Sequence, residues 1–122
     1  MLLVAVFGKP WARAKVLPHV RDLKNNPHYL YRLTAILTAE ALVPALDTAD
    51  AHSDLVPFVL SMAADPVPNV RFGVAKCVER LCSSCPAAVQ GQDAAKATLR
   101  TLSSDPDADV KYFGRRAMKK VE

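Results

Sequence analysis

The stretch DPDADV sets carboxylates at Asp105, Asp107 and Asp109, alternate positions of the kind that surround a calcium ion in a helix–loop–helix site. Such a loop also needs glycine at its sixth position to turn the backbone and a carboxylate at its twelfth to close the coordination sphere. Val110 and Arg116 stand there instead. The aspartates suit backbone work, accepting from amides at a turn and at the start of a helix. Cys82 and Cys85 make a C-x-x-C without a second pair, and Cys77, His19, His28 and His52 stand at no finger spacing from them. A redox dithiol lacks its strand–helix–strand setting, and Cys77 falls on an apolar face as a small core residue. No serine has a suggested His–Asp partner, no glycine-rich phosphate loop occurs, and H-E-x-x-H is missing. The sequence predicts no catalytic residue, no metal, no cofactor and no small-molecule substrate.

What remains is charge. Sixteen Lys and Arg against twelve Asp and Glu give a formal charge of +4, compatible with an acidic protein partner or with nucleic acid. Part of the excess is concentrated near the end, where Lys111, Arg115 and Lys119 are spaced by four, as are Arg116 and Lys120. On a helix this makes a basic outer face, which needs no ligand to be stable in water. Its functional alternative is a site for nucleic acid or acidic peptides, with Tyr112 and Phe113 as the nearby aromatic rings.

The elements that carry these residues follow from a repetition. Asn26-Pro27, Asp65-Pro66 and Asp105-Pro106 recur at a period of 39 and then 40 residues. Four residues past each proline comes Tyr31, Val70 or Val110; five past, Arg32, Arg71 or Lys111; six past, Leu33, Phe72 or Tyr112; fifteen past, Leu42, Leu81 or Val121. An upstream set keeps the same period: Val20, Val59 and Leu99, then Leu23, Met62 and Leu102. Two segments agreeing at one period mark an array of repeated units. Within each unit both segments have helical spacing, as in Val70, Val74, Cys77, Val78 and Leu81. Asp65 and Pro66 supply start signals for a second helix. Pro18 and Pro57 fall inside the first helices and are expected to bend them.

The chain is 51% hydrophobic and 7% aromatic, enough to bury a core of stacked helices dominated by Ala, Val and Leu. The predicted fold is all-α, an α-solenoid of antiparallel helix pairs. It has about three units: 1–8 the tail of a preceding helix, 9–45, 46–86 and 87–122. Gly8 then caps that tail, and Leu2, Leu3, Val4, Val6 and Phe7 face a neighbour, so self-association through this end is expected. The opening residues lack the basic region and cleavage site of a signal peptide, and no run approaches the ~20 apolar residues of a membrane span. Three closely spaced cysteines build no disulfide framework, which places the protein in a reducing compartment, cytoplasm or also nucleus.

Helix pairs of about 40 residues whose second helix opens on D-P…V-R resemble HEAT repeats. NPHYLYRL, DPVPNVRFGVAK and DADVKYF, preceded by FGKPWA, are similar in order and spacing to the C-terminal end of the PR65 scaffold family of protein phosphatase 2A. That resemblance covers nearly the whole chain and is weak around CSSCPAAVQGQD. It implies a non-catalytic scaffold whose C-terminal units hold the phosphatase catalytic subunit, while the regulatory-subunit site belongs to N-terminal units. Matched to the family's turns, the partner-binding residues are Tyr29 and Arg32 in the first unit and Val67 and Asn69 in the second. Tyr and Arg dominate interface energetics. The competing role for Arg71 and Lys111 is internal, pairing with the turn acids Asp65 and Asp105 to lock unit to unit; Arg32 is open to both roles. Gly73 and Gly114 on the second helices, at up to ~1 kcal/mol each against alanine, and the basic RRAMKK depart from the family pattern.

Overall fold

Each described helix buries an apolar flank against a neighbouring helix. The computed structural model describes residues 15–46, 54–90 and 92–121. In chain order the elements are α1 (Leu17–Leu23), α2 (Tyr29–Leu42), a 3-10 turn (Val43–Ala45), α3 (Val56–Leu60), α4 (Pro68–Ser84), α5 (Pro86–Gln90), α6 (Asp93–Leu102) and α7 (Ala108–Val121). There is no strand among the described residues. The fold is an all-α solenoid. First helices α1, α3 and α6 pack on their partners α2, α4 and α7, and the second helices pack on one another in the order α2, α4, α7.

The periodic positions become the core. Val20, Val59 and Leu99 are buried, as are Leu42, Leu81 and Val121, and Val70, Val74, Cys77, Val78 and Leu81 all lie inside. They belong to one continuous cluster running through all three units. Burying a Val or Leu side chain contributes roughly 1.5–3 kcal/mol, so the interfaces between pairs are stabilised chiefly by these residues. The exception is Tyr31, which occupies the slot of Val70 and Val110 but is 52% exposed. Its ring is larger than valine, its hydroxyl favours water, and it stands edge-on to His28 at 5.9 Å.

Three local features differ from the sequence expectation. Pro18 and Pro57 sit at the second residue of α1 and α3, each preceded by two residues in a wider π turn, rather than within a continuous α-helix. The π turn accommodates a ring that has no N–H to give. The second helices begin two residues beyond Pro27, Pro66 and Pro106, so these prolines shape the turn rather than the first helical position. In the second unit Pro68 takes that position. Lastly, α5 forms an additional short helix within PAAVQ, and its Ala88 and Val89 are fully buried. The expected tail at 1–8, Gly8, the apolar residues Leu2 to Phe7 and His52 lie outside the described residues.

Candidate protein-binding site

The turn between the two helices of each unit has the same hydrogen bond three times. The side-chain oxygens of Asn26, Asp65 and Asp105 accept from the backbone N–H of His28, Val67 and Asp107, each at 2.9 Å. This closes an Asx turn, while the proline between fixes φ. Helix starts follow at once. His28 Nδ1 accepts from the N–H of Leu30 at 3.2 Å, and Asp107 Oδ1 accepts from Asp109 and Val110 at 3.0 and 3.1 Å. Asp105 and Asp107 thus each give one oxygen, Oδ1, to backbone amides, the turn and capping work expected from the spacing of DPDADV.

The long cations join one turn to the next. Arg32 Nε donates to Asp65 Oδ2 at 2.7 Å and Nη2 to Oδ1 at 3.3 Å, while Nη1 donates to the carbonyls of Asn26 and Pro27, both at 3.0 Å. Arg71 repeats the arrangement: Nε to Asp105 Oδ2 at 2.8 Å, Nη2 to Oδ1 at 3.1 Å, and Nη1 to the Asp65 carbonyl at 2.8 Å. Each guanidinium clamps its own turn with one nitrogen and the following turn with two, a task for which its planar fork is suited. Burial pushes the Asp65 carboxyl up, but the hydrogen bonds from Arg32 and the Val67 amide, with the charges of Arg32 and Arg71, hold it below the usual carboxylate range. The Arg71 hydrogen bond, against an opposing effect of burial, likewise holds Asp105 low.

The expected internal role therefore holds for Arg71, and Arg32 is drawn into the same work, with a single Nη2 hydrogen left over. Lys111 departs from it. It occupies the equivalent place in the third unit, but among the described residues it faces no further turn acid.

Around this ladder lie the four residues named from the turns. Tyr29 opens α2, 41% exposed, and stacks on His28 at 5.7 Å. Arg32 follows one helical turn later. Through Asp65 it reaches the amide of Val67, which is half-buried and immediately precedes α4. Asn69, exposed on the first turn of α4, lines a groove of about 270 Å³ with Leu33, Leu37, Phe72, Gly73 and Lys76. Arg32 and Val67 thus share one carboxylate, and Asn69 stands over the groove that begins beside them.

The apolar members of that groove were not picked out from sequence. Leu37 is 50% exposed although it is apolar. The available signal was α2 itself: YLYRLTAILTAEAL has more apolar residues than one buried stripe needs. Phe72 packs edge-on against Phe113 at 4.7 Å, and the Lys76 ammonium lies 5.3 Å from the Phe72 ring, so the groove continues from α4 to α7. Its character is an aliphatic and aromatic floor with a polar rim, the make-up common to protein-binding patches.

Residues 55–85, which include α3, the second turn and α4, match the HEAT repeat family. The chain carries a HEAT repeat. The HEAT array is similar to the A-type regulatory subunit of protein phosphatase PP2A from Saccharomyces cerevisiae, 30% identical over 95% of this chain and 19% of that relative. It is also similar to the protein of the same name from Schizosaccharomyces pombe, 34% identical over 57% of this chain and 12% of the relative. A third, the "Serine/threonine-protein phosphatase PP2A 65 kDa regulatory subunit" of Drosophila melanogaster, is 44% identical over 47% of this chain and 10% of its own length. The chain spans about a fifth or less of the length of these curated relatives. No helix among the described residues is long and apolar enough to cross a membrane.

Proposed function

We propose that this HEAT array is a non-catalytic scaffold that holds the catalytic subunit of a Ser/Thr protein phosphatase through its intra-unit turns. The supporting observation is the likeness, over 95% of the chain, to a protein named as a phosphatase regulatory subunit. The turns add a physical reason. Three Asx-Pro corners are held in common register by Arg32–Asp65 and Arg71–Asp105, so side chains mounted on them are fixed relative to each other before any partner arrives. A preorganised ridge loses little entropy on binding.

In this proposal Tyr29 supplies the exposed ring, Val67 and Asn69 the second contact, and Arg32 both tightens the ridge and offers its last donor. The function is positioning, with the chemistry left to the partner. Calorimetric titration of the purified phosphatase catalytic subunit with the chain and with its Tyr29→Ala/Asn69→Ala variant tests it. These two side chains are exposed, so the variant keeps the fold. Affinity is expected to fall on the order of thirtyfold if they are hot spots. Unchanged affinity removes the site assignment, and no binding by the parent chain removes the function.

A further inference from the structure

The repeat supplies a comparison of the face that each second helix turns toward the following unit. Three positions define it: Arg32, Ile36 and Glu40 on α2; Arg71, Ala75 and Glu79 on α4; Lys111, Arg115 and Lys119 on α7. On α2 this face is covered at its centre and half-buried at Arg32 and Glu40. Ile36 is 0% exposed, with its Cγ2 2.7 Å from where a β-carbon on Gly73 would lie, and Glu40 faces the Arg80 guanidinium at 4.0 Å. On α4, Ala75 is buried, while Glu79 accepts from Arg116 Nε at 2.9 Å and lies 3.8 Å from Lys120 Nζ. On α7 the apolar position has become Arg115 and the acidic one Lys119. A following pair of the same pattern would bury Arg115 and set a cation against Lys119, at a cost that the other two interfaces avoid.

The α7 face thus has the geometry of a stacking surface with the chemistry reversed. Ala108, Lys111, Tyr112, Arg115, Arg116 and Lys119 line a depression of about 420 Å³ on it, and Tyr112 is 60% exposed. Arg116 and Lys120 are engaged with Glu79 and Ser83. Arg115 gives Nε to the Ser103 carbonyl at 3.2 Å and keeps its outer nitrogens. Among the described residues, the cations of this face left without an acidic partner are therefore Lys111, Arg115 and Lys119, a row spaced by roughly 6 Å along the helix. An extended peptide places alternate side chains roughly 6.6 Å apart on one face. Nucleic acid fits less well, since duplex binders neutralise some 6–10 phosphates and stack bases on several rings, whereas this row has three charges and one exposed ring.

We propose that the α7 face formed by Lys111, Tyr112, Arg115 and Lys119 docks an extended acidic segment of a partner protein, with carboxylates at alternate residues paired to the three cations. This surface is separate from the Tyr29–Asn69 ridge and does not depend on the phosphatase reading. The test is fluorescence anisotropy on the whole chain with a labelled peptide carrying glutamate at alternate positions, beside a labelled short single-stranded DNA. The parent chain is expected to bind the peptide, and Arg115→Gln/Lys119→Gln to weaken it about tenfold or more, with helicity unchanged by circular dichroism. Lys96→Gln/Arg100→Gln on α6 removes the same charge elsewhere and is expected to leave binding intact. No binding of the peptide, equal losses in the two variants, or tighter binding of the DNA than of the peptide each overturns the proposal.

Discussion

Arg71 meets the Asp105 carboxylate with two nitrogens, at 2.8 and 3.1 Å, while its third holds the carbonyl of Asp65 at 2.8 Å. One side chain thereby fixes the distance between successive turns. Its worth depends on the carboxylate being ionised. Arg71 holds the Asp105 carboxyl below the usual range, whereas in the unfolded chain it titrates near ~4. The sign follows: the contribution is fully present above the unfolded value and is lost as pH falls through the lower folded value. Melting followed by circular dichroism should show the midpoint falling on acidification below about pH 4. The difference between the parent and Asp105→Asn should shrink over the same range. A difference that stays constant to strongly acidic pH would rule out the ion pair as its cause.

Asp65 does two jobs that substitution can separate. Its Oδ1 accepts from the Val67 amide, and both oxygens receive Arg32. The first unit shows that asparagine suffices for the turn, because Asn26 makes the same bond to His28 at 2.9 Å. Asp65→Asn should therefore keep the turn and lose the charge, while Asp65→Ala loses both. Alanine is expected to be the more destabilising by about 1 kcal/mol, the usual cost of a lost turn or cap acceptor. Urea unfolding of the two variants reads it, and equal midpoints would place the whole effect in the Arg32 pair.

Much of this fold was legible because its core is periodic. Val70, Val74, Cys77, Val78 and Leu81 name a buried stripe without reference to anything outside α4, and the Asx-Pro corners mark where helices turn. What the sequence concealed depends on neighbours. The clamp from Arg32 to Asp65 spans 33 residues and was one of two open roles for that arginine. Lys111 matched the clamp by position, but a clamp needs an acid on the next turn. Leu33, Leu37 and Phe72 counted as ordinary apolar residues until the spacing of α2 and α4 left a groove between them. Helix α5 hid in PAAVQ because five residues carry too little periodicity to announce a helix.

The cysteines offer a probe of opening. Cys77 is fully buried between stacked helices, and burial, with the nearby Glu40 charge, pushes its thiol well above the ordinary range against a smaller pull from Arg80. Burial also raises Cys82, against a smaller lowering by Lys120. Thiolate is the reactive form, so both should resist alkylation at neutral pH in the native chain. Mass spectrometry of iodoacetamide-treated protein should find Cys77 labelled only in proportion to the unfolded fraction as denaturant rises. Rapid labelling of Cys77 without denaturant would mean that α4 separates from its neighbours under native conditions.

Gly73 and Gly114 carry a helix-propensity cost that packing explains. A β-carbon on Gly73 would stand 2.7 Å from Ile36 Cγ2, and one on Gly114 would stand 2.8 Å from the Leu102 carbonyl carbon and 2.9 Å from the Ser103 nitrogen. The first obstacle is a side chain on α2; the second is backbone at the end of α6. Ile36 Cγ2 sits on the branched β-carbon of a fully buried side chain and moves only with a stiff χ1 or with α2 itself, while the backbone beside Gly114 yields only if α6 and α7 part. Alanine gains about 1 kcal/mol of helix propensity at either place, and overpacking costs about 1–3 kcal/mol. Both Gly114→Ala and Gly73→Ala should therefore be destabilising, Gly114→Ala the more so because its obstacle is backbone. A double-mutant cycle sharpens the second expectation. Ile36→Ala alone should cost roughly 2–5 kcal/mol through its cavity, and less when Gly73→Ala supplies a methyl to the same space. Additive losses in that cycle would show that the two residues do not share the contact that brings α2 against α4.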